Sequence, residues 1–200
     1  MRLVFSVSLL FTALAVSVAA SPAAAGAKVT VKTKTYDIAG NSGRDLVLAM
    51  DRTGPRHGFM TRAIAQTSYT VDWDFRVAQS ATTCRLARAA PTLHLSYIYP
   101  RATGLRPILK KRWETFLAGV HRHERTHGRI ATDMVEAAAR SVSGLSLRGD
   151  PSCDRTRREA RRRIDSVYAA YEARQVAFDE REHRDGGRVE KLVDALIARR

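Results

Sequence analysis

Apolar residues recur at every second position through several stretches before Pro100, and at every third or fourth position beyond Arg106. That change of period predicts a β-rich part followed by a helical part. Lys28 to Asp37, "KVTVKTKTYD", alternates and is rich in β-branched residues, which predicts a strand. Ser42 is placed to cap a short helix that turns Leu46, Val47 and Met50 inward, and Gly54-Pro55 stops it. "TSYTVDWDFRV" then puts Tyr69, Val71, Trp73, Phe75 and Val77 on one face. The run after Gln79-Ser80 carries Cys84 and Leu86 and ends in "TLHLSYIYP", where Leu93, Leu95, Tyr97 and Tyr99 share a face. The expected result is a small antiparallel sheet of three to four strands.

Helical spacing takes over from about Arg106 to about Ser143, with Leu109, Trp113, Phe116, Leu117, Val120, Ile130, Met134 and Val135 on one stripe. Pro107 suits its first turn and Gly144 its end. After the loop "GLSLRGDPSC", a second helix is predicted from about Asp154 to about Asp179, its stripe formed by Ile164, Val167, Tyr168, Tyr171, Gln175 and Phe178. Gly186-Gly187 breaks it, and "RVEKLVDALIARR" (188–200) reads as a short amphipathic tail helix. The fold class is therefore α+β, a small sheet packed on two long helices.

Of the 200 residues, 1–27 read as a secretory signal peptide: Arg2, the apolar run Leu3 to Val18, then "AASPAAAGA". Residues 28–187 are left as one domain. In an exported chain the two cysteines, Cys84 and Cys153, suggest a disulfide. The net charge of +14 favours anionic surfaces such as a cell envelope. Acidic residues interrupt the arginine cluster "DRTRREARRRID", so a solvated helix face is expected there and not a nucleic-acid site.

The first long helix carries an interruption of its own. His123, Glu124 and His127, in "VHRHERTHGRI", fall on its inward stripe. Polar groups there are costly unless satisfied. Imidazoles at i and i+4 lie one above the other and can converge on one ion. A glutamate directly after the first histidine is placed to act as general base beside a zinc ion. His-Glu-x-x-His has roughly one chance in a hundred of arising somewhere in a chain of this composition. His121 points elsewhere. Asp133 lies six residues, or about 600°, beyond His127 and so faces away. For a third ligand the second helix offers Glu172, Glu180 and His183.

"TYDIAG", "DLVLAMDRTGP", "TSYTVDWDF", Cys84, "RWETFLAGVHRHERTH", Cys153 and "FDEREHRDG" together carry a resemblance. The chain resembles a bacterial family of predicted secreted zinc-dependent proteases, otherwise catalogued as a domain of unknown function. The likeness runs from about Val31 to Gly187. It implies a zincin-like fold, favours His183 over the two glutamates as third zinc ligand, and supports a Cys84–Cys153 bond. The family's signature ends in a Thr-x-His-Gly-like element; here Arg181-Glu182-His183-Arg184 stands in its place, without the glycine. In zinc proteases of this general design an edge strand beside the active-site helix pairs with the substrate, and "TLHLSYIYP" is the natural candidate. Tyr97 or Tyr99 is a weaker candidate for stabilising an oxyanion, inward packing being the simpler role for both.

The function expected from these readings is a secreted or periplasmic zinc metallopeptidase. It would hydrolyse peptide bonds with zinc-activated water and Glu124 as base. A noncatalytic zinc-containing envelope-binding protein and a cell-wall peptide amidase are the alternatives.

Overall fold

The computed structural model describes residues 27–57 and 61–198. The expected leader therefore lies outside the described residues except for Ala27. Strand β1 (Lys28–Ile38) leads to helix α1 (Gly43–Thr53). Ser42 caps α1 as the sequence predicts: its hydroxyl accepts from the Asp45 N–H, and the Asp45 carboxylate accepts from the Ser42 N–H. The two-residue strands β2 (Arg56–His57) and β3 (Thr61–Arg62) pair with each other. Then come β4 (Gln66–Gln79), β5 (Thr83–Ala102), α2 (Pro107–Val142), β6 (Ser146–Arg148), α3 (Asp154–His183) and α4 (Arg188–Ile197). Among the described residues no helix is long and apolar enough to cross a membrane.

The main sheet has four strands, ordered β1-β5-β4 with β6 also on β5. It is mixed, which corrects the expected all-antiparallel arrangement. β4 and β6 run antiparallel to β5, but β1 runs parallel to it, from Lys28 opposite Thr92 to Ile38 opposite Ala102. Alternation marks a strand but not its neighbour or direction, and a parallel neighbour needs only a long connection. Here α1, the β2–β3 ribbon and β4 supply it. β5 is thus the central strand. At Pro91 its β1 side is open, since β6 pairs with Thr83–Arg85 and β1 begins at Thr92. A residue without an N–H is tolerated there.

One sheet face carries Leu93, Leu95, Tyr97 and Tyr99, all buried as their spacing predicts. They meet Leu109, Trp113, Phe116, Val120, Ala131 and Val135 of α2. The other face is polar: His94 bridges the Thr30 hydroxyl at 2.7 Å and the Asp72 carboxylate at 3.0 Å. A second apolar cluster joins Leu86, Ala138, Val142, Leu145, Ala160 and Ile164 at the other end of the helix pair. The C-terminal helix is firmly seated. Leu196 is fully buried in the first cluster, and Leu192 lies so close to Gly119 that a Cβ there would come within 2.3 Å of it.

The far end of the helix pair is cross-linked. Cys84 at the start of β5 is bonded to Cys153 just before α3. The buried Asp150 accepts from the N–H of Arg155 and of Thr156 and from the Thr156 hydroxyl, which satisfies the first turn of α3. The bridge spans 69 residues. In the chain-entropy account, replacing both cysteines with serine should lower unfolding free energy by about 4 kcal/mol, measured by urea titration against the oxidised chain.

Candidate metal centre

Register on α2 turns His123 and His127 toward α3, with His123 only 8% exposed. The two Nε2 atoms lie 3.2 Å apart. From α3 the Asp179 carboxylate enters between them, Oδ1 lying 2.9 Å from His127 Nε2 and 3.3 Å from His123 Nε2. His183, one turn further along, completes a group with His123 and Asp179 in which one ligand atom from each lies within 4.8 Å of the others. Its Nδ1 is 3.0 Å from the Asp179 backbone carbonyl and its side chain is about half exposed. Phe178 stacks on His123 with centroids 4.9 Å apart, forming an apolar wall.

Two imidazoles and a carboxylate are the donor set that zinc accepts. The spacing agrees as well. Ligands about 2.05 Å from a tetrahedral ion lie about 3.3 Å from one another. The triangle His123 Nε2, His127 Nε2, Asp179 Oδ1 has edges of 3.2, 2.9 and 3.3 Å. Burial opposes ionisation of Asp179, but hydrogen bonds with His123 and His127 outweigh it and hold the carboxyl well below the usual carboxylate range. Burial pulls His127 down, yet its bonds to Asp179 and Gln175 leave it raised overall. The carboxylate beside the rings is thus held in its charged form.

Glu124 is also buried, on the sheet side of α2. Its Oε2 accepts from the Thr67 hydroxyl at 2.6 Å, and the same hydroxyl lies 3.1 Å from the Glu124 backbone carbonyl. Thr67 stands at the start of β4, so the sheet fixes the orientation of this carboxylate.

The other sequence candidates resolve by position. Asp133 is exposed, on the side of α2 away from the cluster. His121 stacks on Tyr99 with centroids 4.0 Å apart. Glu172 and Glu180 are exposed and stand outside the histidine–aspartate group. Tyr97 and Tyr99 pack inward, and burial, then the Glu124 charge, raise both phenols. The sequence alone does not single out Asp179, because an aspartate in "FDEREHRDG" looks like any of its acidic neighbours. A signal was present all the same: Gln175 and Phe178 lie on the inward stripe, and Asp179 lies one turn beyond Gln175.

A glycine next to the site sets its depth. A Cβ on Gly128 would come within 1.9 Å of the Tyr97 hydroxyl oxygen, so α2 rests on β5 with only a hydrogen between them. Gly128→Ala should lower the melting temperature despite the better helix propensity of alanine, since overpacking costs about 1–3 kcal/mol. Removing the struck oxygen with Tyr97→Phe in the same chain should recover part of that loss, as thermal unfolding would show.

No curated protein and no solved structure matches the chain. A family described as "Bacterial protein of unknown function (DUF922)" does, over residues 33–187. That span includes every residue of the cluster, both cysteines and Glu124, and the chain belongs to this family.

Proposed function

We propose that the chain is an exported zinc metallopeptidase of zincin-like design. His123, His127 and Asp179 would hold the ion, and Glu124 would serve as general base. The triangle of donor atoms with edges of 2.9 to 3.3 Å carries this reading. Zinc, when bound, supplies a Lewis acid that polarises a carbonyl and lowers the pKa of water toward about 7.

The chain's own residues do the rest. Glu124, one residue from His123, takes a proton at its carboxylate and later delivers it to the leaving amine. The Thr67 bond to Oε2 keeps that carboxylate from turning away and leaves Oε1 to accept the proton. Phe178 shields the ring of His123 from water on one side.

The substrate follows from the sheet. "TLHLSYIYP" belongs to the central strand and has neighbours on both sides, so it is not the edge that the sequence suggested. The free edge beside Glu124 is β4, which among the described residues pairs only with β5 and carries Thr67. An extended peptide would add to that edge by main-chain hydrogen bonds. A Cys84–Cys153 bond is consistent with an oxidising compartment outside the cytoplasm. Exposed arginines on α3, Arg157, Arg158, Arg161 and Arg162 among them, suit an anionic envelope.

A second reading has one observation in its favour. His183 groups with His123 and Asp179, and as a fourth ligand beside His127 it would close the site and make the metal structural. Zinc content and peptide hydrolysis of the chain lacking residues 1–27 separate the two. One zinc per chain is expected. Glu124→Gln should keep the zinc and lose at least about 100-fold in turnover. Asp179→Asn should weaken zinc binding strongly, whereas His183→Ala should keep both metal and turnover. Full metal retention in Glu124→Gln with no hydrolysis of any peptide by the parent chain would favour the structural reading. Absence of zinc from the parent chain would overturn both.

A further inference from the structure

Building on that metal site, we infer that Gln175 and Glu182 of α3 are positioning residues. Gln175 holds the His127 ring and Glu182 stands beside the His123 ring, so that each Nε2 is turned toward the place where the ion would sit.

For Gln175 the hydrogen bonds settle the tautomer. Its side chain is 8% exposed and makes two contacts with one residue. The amide nitrogen donates to the His127 backbone carbonyl at 3.2 Å. A carbonyl can only accept, so the amide cannot be flipped. Its oxygen therefore faces His127 Nδ1, at 2.6 Å. An amide oxygen accepts only, so Nδ1 must carry the proton. In the neutral ring Nε2 is then unprotonated. A second proton at Nε2 bonds to Asp179 Oδ1, 2.9 Å away, with His123 Nε2 3.2 Å off, and a metal ion would take that proton's place. Acceptors gathered that closely are held together only by a proton or a cation between them.

His123 has the complementary arrangement in a looser state. Its Nδ1 is buried and has no hydrogen-bond partner. The carboxylate that approaches it is Glu182, whose Oε2 lies 3.9 Å away on a side chain only 13% exposed. Arg188, at the start of α4, reaches the same oxygen at 3.7 Å. A shift of about 1 Å would bring Glu182 into hydrogen-bond range and give the orphan Nδ1–H its acceptor. Occupation of Nε2 by a metal makes Nδ1 the only site left for the proton, and a metal-bound imidazole normally donates it to a carboxylate or carbonyl. Gln175, Asp179 and Glu182 stand four and three residues apart on one side of α3, so a single helix face supplies one ligand and both supports.

Two measurements test this on the purified chain with zinc ion alone. The first is long-range proton–nitrogen NMR of the metal-free protein, which reads the ring tautomers directly. His127 Nδ1 is expected to carry a proton; a ring protonated at Nε2 alone would overturn the role of Gln175 whatever any variant does. The second is zinc affinity by chelator competition. Gln175→Leu and Glu182→Ala should each weaken binding about 10–100-fold. Glu182→Gln, which keeps an acceptor oxygen, should retain most of it. A merely structural role would lower the metal-free unfolding temperature and leave zinc affinity alone, and that result would overturn the inference. Glu182→Ala and the NMR of the parent chain decide the matter even if Gln175→Leu fails to fold. Should the parent chain bind no zinc, the metal reading falls and this inference with it. If the parent binds zinc and both variants match it, only the positioning role falls.

Discussion

Two imidazoles on the buried stripe of a 36-residue helix are the constraint around which this molecule is arranged. Left without partners, each would cost the desolvation of its ring nitrogens. The sheet cannot supply partners, because the face it turns to α2 is Leu93, Leu95, Tyr97 and Tyr99. α3 has to, and from nine residues, Gln175 to His183, it meets every one of those nitrogens except His123 Nδ1. The polar groups of that stretch are costly to bury for the same reason, so α2 and α3 satisfy each other across one small volume. Phe178 in the middle keeps it from being wet throughout.

Glu124 obeys a different partner. It leaves α2 one residue after His123, about 100° further round, and meets the sheet at Thr67. The helix is thus read on two faces at once, the histidines by α3 and the glutamate by β4. Gly128 lets α2 come close enough to β5 for both contacts to hold together. A helix wedged between a sheet and a second helix thus holds the Glu124 carboxylate on one side and the histidines on another.

Much of this was legible in the sequence because it is local. The Ser42 capping box, Pro107 at the start of α2, the buried tyrosine–leucine face of β5 and the inward stripe through His123 and Gln175 all follow from spacing within a few residues. What escaped were facts about pairing. The parallel β1–β5 ladder escaped because alternation in "KVTVKTKTYD" is the same whichever way the neighbour runs. The edge position of β4 escaped for the same reason, since nearness to α2 in sequence does not make β5 an edge. Asp179 escaped because composition hides it. "FDEREHRD" holds four acidic residues, and only the register inherited from Tyr171, Gln175 and Phe178 separates the inward carboxylates from the solvated ones.

That register is itself set far from the site. Helices α2 and α3 are joined through β6 and the bridge at Cys84–Cys153, and packed there by Ala138, Val142, Ala160 and Ile164. Midway, Trp73 donates to the Tyr168 hydroxyl at 2.9 Å, tying α3 to β4. Between this anchored end and His127 the helices run unbridged by any further covalent link. A rotation of α3 by one residue would move Asp179 by about 100° and carry it out of the triangle. Beyond Trp73 and Tyr168, what resists that rotation is the Gln175–His127 clamp, the stacking of Phe178, and Arg188 of α4 on Glu182. A metal ion would act at the same place and in the same sense, joining α2 to α3 at their open end as the disulfide joins α3 to the sheet at the other. The histidine pair would then also be the second clasp of the fold.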